Sequence, residues 1–321
     1  MEKIKIKFVD FWPGFDEKNN DFYEILSKKY NIEISDYPEF LFYSVFGDDN
    51  LDYDCIKIFY TGENFIPNFN NCDYAIGFHK IEFGKRYLRM PLYFLFNYKK
   101  YLKIALNIHK EKVNNRDKFC NFIYSNGNAD KKREEFYNLL SKYKKIDSGG
   151  RYLNNIGKAV GDKYEFQKQY KFSIAFENSS SIGYTTEKLI EAKAAGTIPV
   201  YWGNPEIATE FNSKSFINCH EYENFNEVIE EIKRVDADEE LYKSYLKEPF
   251  SIEKNDIVKE FDKKLEEFLF FIIENKNKFR SEYFRSEYLT ENIKKYRILR
   301  KNKYMKPYIR LLKKLRLIKG V

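Results

Sequence analysis

Histidine and cysteine are scarce in this chain of 321 residues, which contains three histidines and four cysteines. The histidines (His79, His109 and His220) are far apart, and no pair of cysteines has the C-x-x-C spacing of zinc and redox sites. This scatter argues against a metal centre built from histidine and cysteine, and against a disulfide framework. Free thiols spread along a chain are instead typical of the reducing cytoplasm.

A long apolar run is also missing. The longest one, residues 268–273, is far shorter than the roughly 20 residues that a membrane-spanning helix needs. The chain opens with alternating charged and apolar residues (MEKIKIKFV), which is typical of a strand and not of the apolar core of a secretory signal. We therefore expect neither a signal peptide nor a transmembrane segment.

Acidic residues are absent from the stretch 294–321, which holds 12 of the 56 lysines and arginines. The whole chain has a net charge of +7, so the residues before position 294 carry a net charge of −5. A mildly acidic body offers no basic groove, and we expect no nucleic-acid partner.

Apolar residues alternate with the basic ones along 294–319, with a break near Pro307. This pattern predicts a basic amphipathic helix that binds an anionic membrane surface. The location expected from it is cytoplasmic and peripheral, on the inner face of the cytoplasmic membrane. A solvated run of charges is the alternative interpretation.

Two successive blocks of alternating strands and helices make up the body of the chain. The first block includes strand candidates at 4–9 and 56–60, and the second includes candidates at 119–124 and 172–176. This rhythm predicts an α/β protein with two doubly wound parallel sheets. Ligands of such sheets bind at the carboxyl ends of the strands, so we expect a site in a cleft between two domains.

The segment 172–205 is the most informative part of the sequence. A buried-type strand leads into a polar loop and then into a helix that starts near Thr186 and ends before Gly196. A helix N-terminus carries unpaired N–H groups and a partial positive charge, which favour a diphosphate, and Lys188 adds a full charge in the first turn. Glu187 is unusual beside a diphosphate. It is either an ordinary first-turn acid or a residue that reaches past the phosphates to a sugar.

Three groups of motifs along the chain are together far more specific than a single glycine-rich loop. They are residues 59–64 (FYTGEN) with 67–70, residues 73–78 with 86–93, and the stretches FEN, GY, TEKLI and TIPVYWG within 176–203. This combination resembles glycosyltransferase family 10, the α-1,3/4-fucosyltransferases, and especially bacterial members that build Lewis-type antigens. The resemblance runs from about Trp12 to Pro249.

The resemblance implies a GT-B fold, in which two Rossmann-like domains face a cleft, here followed by the basic helical C-terminal tail. It assigns 1–98 to acceptor binding, 99–275 to GDP-fucose binding and 276–321 to the tail. It also implies an inverting α-1,3-fucosyltransferase without a metal cofactor. The donor would be GDP-β-L-fucose, and the acceptor the GlcNAc of an N-acetyllactosamine (Gal-GlcNAc) unit in a lipopolysaccharide or oligosaccharide. The alternatives are a dual α-1,3/1,4 enzyme, an enzyme using another nucleotide sugar, and a carbohydrate-binding homologue without catalysis.

Two catalytic residues follow from the matched motifs. Glu63 of the TGEN motif corresponds to the proposed general base, and Glu187 lies near the fucose. Trp12 lies on a loop that would line the acceptor side. The alternatives are a turn carboxylate that caps local N–H groups for Glu63 and a core residue for Trp12.

Four residues match donor-binding positions of the family. Arg133 and Lys188 would contact the diphosphate of GDP-fucose, and Asn178 and Tyr184 would complete the donor site. Arg133 stands in the charged run 131–135, so a solvated helix face is its alternative. The sequences DYD at 52–54 and DAD at 236–238 spell the metal-binding motif of another glycosyltransferase fold, but so short a match arises easily by chance, and we expect no metal site.

Overall fold

The computed structural model describes residues 1–111, 116–252 and 256–276, and isolated residues between 280 and 311. The chain forms two compact units. Unit 1 comprises residues 1–77, 81–89 and the chain from Lys263 onward, and unit 2 comprises residues 78–80 and 90–262. Each unit contains one parallel β-sheet, which confirms the predicted α/β class with two parallel sheets. Most of the predicted tail helix, 294–319, lies outside the described residues.

Unit 1 is built on a six-stranded parallel sheet with the order β2-β1-β3-β4-β5-β6. Its strands are β1 (Lys3–Val9), β2 (Asn31–Ile34), β3 (Phe40–Tyr43), β4 (Ile56–Tyr60), β5 (Tyr74–Gly77) and β6 (Tyr87–Arg89). Helix α1 (Asp21–Ser27) connects β1 to β2, and it begins where the Asn20 side chain accepts a hydrogen bond from the Tyr23 N–H. The strand β4, which leads to the predicted base, is buried along its whole length.

Unit 2 is built on a five-stranded parallel sheet with the order β11-β10-β9-β7-β8. Its strands are β7 (Lys118–Phe122), β8 (Ile146–Ser148), β9 (Tyr170–Phe176), β10 (Ile198–Trp202) and β11 (Ile217–Asn218). Its helices are α2 (Tyr98–Asn107), α3 (Lys132–Leu140), α4 (Lys163–Gln167), α5 (Glu187–Ala194), α6 (Phe225–Ala237) and α7 (Glu239–Lys247). The strands β9 and β10 lie side by side in the middle of the sheet and bury nearly all of their residues.

The predicted strand–loop–helix segment is confirmed as β9, a polar loop and α5. Gly196 follows the helix with a φ of +72°, in the left-handed region that glycine adopts without strain. The loop therefore starts at the carboxyl end of a central strand, where the doubly wound architecture places ligands.

Helix α8 (Ile257–Glu274) is shared between the two compact units, which divide at Lys263, ahead of the predicted boundary at 275. From Lys263 onward the helix belongs to unit 1, where Lys28 bonds to Glu266 at 3.1 Å. The ring of Tyr30 packs edge-on against Phe270, and that of Tyr74 packs against Phe268. The C-terminal part of the helix thus completes the core of the first unit. The acceptor-binding and donor-binding roles assigned to the domains stay predictions.

Within the described parts of the chain, no helix combines the length and apolar character that crossing a bilayer requires.

Candidate active site

The donor-site residues predicted from the sequence gather at the carboxyl ends of β7 and β9 in unit 2. Asn178 follows β9 in the loop to α5, and Glu187 and Lys188 open α5. Arg133 lies in the first turn of α3 and reaches the same loop through the side chain of Asn178. Two sequence segments more than 40 residues apart therefore contribute to one group of charged side chains.

Glu177 is the most deeply buried carboxylate in this group. It directly follows β9, its side chain is fully inaccessible, and it accepts hydrogen bonds of 2.7 Å from both the N–H and the hydroxyl of Thr186. The Lys188 ammonium lies 3.1 Å from its second oxygen. Burial raises the pKa of Glu177, while the charge of Lys188 opposes that rise. One N–H at the start of α5, predicted to face a diphosphate, is thus already bonded to a carboxylate.

Lys188 has three oxygen acceptors around its ammonium group. Thr186 Oγ1 lies at 3.0 Å, Glu177 at 3.1 Å and Glu187 at 3.4 Å. Burial lowers the pKa of Lys188, but the two carboxylates outweigh it and hold the pKa well above its ordinary value. Lys188 is therefore a cation throughout the physiological range.

Glu187 is the first residue of α5, so it is a first-turn acid, yet it also faces two cations. Burial opposes its ionisation, but the charges of Lys188 and Lys163 outweigh this effect and lower the pKa to about 2. Lys163 opens α4 and bonds to Glu191, one turn further along α5, at 2.6 Å. Glu187 is accordingly an anion at neutral pH, as a residue that stabilises a developing positive charge must be.

Arg133 is buried, with 2% of its surface exposed. Its guanidinium stacks 4.0 Å above the ring of Tyr124 and donates to the Phe176 carbonyl at 3.2 Å and to Asn178 Oδ1 at 2.7 Å. The alternative interpretation, a solvated helix face, is wrong for this residue, because its side chain turns inward from the charged run toward the end of β9.

Arg133 also lacks a counter-ion among the residues that the structure describes, since none of their carboxylates pairs with it, and its Nε atom has no hydrogen-bond partner there. A buried cation without a counter-ion costs free energy that an anionic ligand would recover. Burial raises the pKa of the Tyr124 hydroxyl, and the charges of Arg133 and Lys188 both oppose that rise. The positive charges of Arg133 and Lys188 therefore act on the same group, the Tyr124 hydroxyl.

The loop between β9 and α5 is held by buried polar contacts. The Asn204 side chain accepts from the Gly183 N–H at 2.9 Å, and Gly183 has a φ of +80°. Tyr184 is almost fully buried, with its ring 4.8 Å from that of Phe78 and its carbonyl bonded to the Tyr201 hydroxyl. These contacts fix the path of the loop that leads into Glu187 and Lys188.

Gly203 directly follows β10, and because it has no side chain, the side chain of Glu177 fits against it. A Cβ atom at this position would overlap the side chain of Glu177. The TIPVYWG motif therefore ends in a glycine for a steric reason, and any side chain there would displace the carboxylate that holds Lys188.

In unit 1, Glu63 lies on the exposed loop after β4, as predicted. Its N–H bonds to the hydroxyl of Thr61 at 2.9 Å, so the backbone of the TGEN turn is tied to its own first residue. Its carboxylate makes no hydrogen bond or ion pair to the residues that can be described, which leaves no support for the alternative of a local cap.

Trp12 is half-exposed, so it is neither a fully buried core residue nor a fully exposed ligand-binding residue. Its ring packs edge-on against Phe15 at 5.1 Å and against Phe11 at 5.6 Å. It thus lies at the edge of an aromatic cluster and keeps part of its surface available.

The acidic motif at 236–238 is occupied by structural contacts. Asp236 pairs with Lys144 and Lys171 and accepts a hydrogen bond from the Tyr143 hydroxyl. Asp238 caps α7 by accepting from the Leu241 N–H at 3.0 Å. Both acids therefore stabilise helix and strand packing.

Two charged residues of the site, Glu177 and Lys163, were not predicted as site residues. The position of Glu177, an acid directly after a mostly apolar strand, is a signal that could have identified it. Lys163 gives no comparable signal, because its approach to α5 depends on where α4 packs.

Family models match both halves of the chain. The model of the alpha-(1,3)-fucosyltransferase FucT N-terminal domain matches residues 6–96, and that of the C-terminal part of glycosyltransferase family 10 (fucosyltransferase) matches residues 113–267. Among known sequences, the alpha-(1,3)-fucosyltransferase FucT of Helicobacter pylori is 38% identical in an alignment 287 positions long, and the match covers 76% of this chain. The chain spans only 60% of the length of that relative.

Solved structures agree in fold. A crystal structure of an α1,3-fucosyltransferase has 33% sequence identity and a TM-score of 0.74, and the match covers 85% of this chain and 91% of that one. A structure of an α1,3-fucosyltransferase with GDP-fucose has 32% identity and a TM-score of 0.70, with coverages of 86% and 92%. The predicted GT-B class is confirmed by this likeness, and the chain belongs to glycosyltransferase family 10, the fucosyltransferase family.

Proposed function

We propose that the chain is an inverting α-1,3-fucosyltransferase that moves L-fucose from GDP-β-L-fucose to the GlcNAc of an N-acetyllactosamine-type acceptor. The observation that carries the proposal is the buried Arg133, a cation without a carboxylate partner among the described residues. Its charge and that of Lys188, at the start of α5, act on the same Tyr124 hydroxyl. Two cations and a helix N-terminus suit the diphosphate of a nucleotide sugar. Membership of a fucosyltransferase family supports fucose as the sugar.

The transfer is a single displacement at C1 of fucose. The Glu63 carboxylate accepts the proton of the GlcNAc 3-hydroxyl while that oxygen forms its bond to C1. The bond from C1 to the β-phosphate oxygen breaks, and its electron pair leaves with GDP. Because attack and departure occur on opposite faces, the β-linked donor gives an α-linked product.

Charge develops in two places during this step. Arg133 and Lys188 offset the negative charge that grows on the departing diphosphate, which is the task that a divalent metal performs in other transferases. Glu187, an anion with a pKa of about 2, offsets the positive charge on the sugar ring. We propose on this basis that no metal is essential, and that Asn178 and Tyr184 shape the donor site with Trp12 on the acceptor side.

A donor and acceptor panel in the presence of EDTA tests the proposal. We expect product from GDP-fucose with N-acetyllactosamine and none from GDP-mannose or UDP-sugars. Transfer to the type 1 isomer as well would indicate the dual α-1,3/1,4 enzyme. GDP binding without any transfer would indicate a carbohydrate-binding homologue, and a requirement for added metal would contradict the metal-free chemistry.

We further propose that the chain works at the inner face of the cytoplasmic membrane on a lipopolysaccharide or oligosaccharide glycan. The 12 basic residues of 294–321 support this, because each lysine or arginine near an anionic surface contributes about 1 kcal/mol.

Removal of residues 295–321 is therefore expected to release the protein from vesicles that contain phosphatidylglycerol, while the rate on soluble N-acetyllactosamine changes by less than about twofold. Co-sedimentation with vesicles at low and high salt measures this, and neutral vesicles serve as the control. A truncated protein that still sediments with anionic vesicles would contradict the proposed membrane role.

A further inference from the structure

The carboxylate of Glu177 is fully inaccessible to solvent, yet it contacts two residues of the candidate site, Thr186 and Lys188. One oxygen accepts from the Thr186 N–H and the other from the Thr186 hydroxyl, each at 2.7 Å. The same second oxygen lies 3.1 Å from the Lys188 ammonium. A single carboxylate thus joins the last residue before α5 to the cation in its first turn.

The three acceptors of Lys188 differ in their exposure. Glu177 is fully inaccessible and Thr186 is buried, whereas the side chain of Glu187 keeps 19% of its surface exposed and makes the longest of the three contacts, at 3.4 Å. An ammonium group has three N–H donors, so an incoming phosphate must take the place of one acceptor. The exposed and longest contact, that to Glu187, is the one that a phosphate oxygen can replace. The contact to Glu177 then stays in place behind the ammonium.

We propose that Glu177 is a positioning residue of the donor site, which holds the Lys188 ammonium and the start of α5 in place so that the cation meets an anionic diphosphate. Glu177 acts through Lys188 and Thr186 and does not touch the donor itself. The inference rests on the proposed function only in taking a nucleoside diphosphate as the ligand. Gly203 also supports this proposal, because the absence of a side chain at position 203 makes room for the side chain of Glu177.

Several charged or titratable groups face Lys188 besides Glu177. They are Glu187 on α5, Tyr184 in the preceding loop, Tyr124 after β7, Lys163 on α4 through its effect on Glu187, and Tyr98 on α2. Burial alone lowers the pKa of Lys188, and the negative charges of Glu177 and Glu187 raise it. Without the charge of Glu177, the pKa of Lys188 falls, so the ammonium is lost at a lower pH than in the native protein.

The test compares GDP affinity in the native chain, Glu177→Gln and Glu177→Asp by calorimetric titration from about pH 6 to about pH 10. For Glu177→Gln we expect about 10–100-fold weaker binding at neutral pH and a further loss at alkaline pH, where the native affinity is still constant. Ionisation of GDP is common to all of the proteins and cancels in the ratio of affinities.

Glu177→Asp keeps the charge but withdraws the carboxylate by about 1.5 Å, one carbon–carbon bond. We expect its affinity for GDP to lie between those of the native chain and Glu177→Gln. At alkaline pH, its affinity should depend on pH as that of the native chain does. Asp236→Asn is the matched control, since it also removes a nearly inaccessible carboxylate from lysine partners in the same unit. It is expected to lower thermal stability and to leave both the affinity for GDP and its pH profile unchanged.

The proposal is overturned if folded Glu177→Gln binds GDP with native affinity and a native pH profile, or if Asp236→Asn weakens binding as much. Should Glu177→Gln fail to fold, Glu177→Asp decides the matter, because native affinity in that variant would mean that the position of the carboxylate is immaterial. Binding of GDP is measured without turnover. A native chain that binds GDP but transfers no fucose would therefore contradict the proposed function. The role of Glu177 would still be decided by the GDP affinities of its variants.

Discussion

Replacing Glu63 by alanine is expected to lower kcat by about 10²–10⁴-fold, the contribution of a general base, and to leave GDP affinity unchanged. The expectation follows from the place of Glu63 on an exposed loop at the carboxyl end of β4, with a carboxylate that is engaged by no described residue. The N–H of Glu63 remains bonded to Thr61 in the variant, so the turn itself should persist. Initial rates with saturating GDP-fucose and N-acetyllactosamine measure the effect.

Glu82→Ala is the control for this prediction, because Glu82 is another exposed acid of unit 1 on an irregular segment. Its rate is expected to stay within about twofold of the native rate, as for most surface substitutions. Glu63→Gln should be as slow as Glu63→Ala, since the amide cannot accept the proton. Near-native activity of either Glu63 variant would show that another group takes the proton.

Lys188→Ala is expected to lower kcat/KM by about 10²–10³-fold, the usual cost of removing one group that stabilises charge in the transition state. The variant also leaves Glu177 buried without its cation, which should lower the free energy of unfolding by about 3–5 kcal/mol. Rates with GDP-fucose and chemical denaturation measure the two effects separately.

The pH dependence of the free energy of unfolding of Lys188→Ala identifies why this variant is less stable. Burial raises the pKa of Glu177, and loss of Lys188 removes the charge that opposes the rise. The folded variant then holds a proton that the unfolded chain releases, so its stability should fall as the pH rises above the ordinary pKa of a glutamate, about 4.5. Adding Glu177→Gln should restore stability but not activity. A double variant with the native rate would contradict the role of Lys188.

The sequence predicts those parts of the fold whose limits it marks. The strand β9 and helix α5 are placed within one or two residues, because the mostly apolar run 172–176 and the C-terminal Gly196 mark their limits. The strands β8 and β11 are only three and two residues long and carry no recognisable period. The return of α8 to unit 1 could not be predicted either, since it depends on contacts with residues such as Tyr30, more than 200 positions earlier.

The candidate site was predicted in part. Arg133, Asn178, Glu187 and Lys188 were identified through motifs, and the structure brings Arg133 to Asn178 and Lys188 to Glu187. The motif could not show that Arg133 is buried, because its neighbours along the chain are all charged. Nor could it show that an internal carboxylate already bonds to Lys188, since that pairing depends on the fold of the intervening loop.

Determination of the product linkage by NMR tests the central claim, fucose transfer with inversion, most directly. With GDP-β-L-fucose and N-acetyllactosamine, we predict a single trisaccharide in which fucose is α-linked to O3 of GlcNAc, together with one equivalent of GDP. A β-linked product, attachment to galactose, or release of free fucose without a trisaccharide would contradict it.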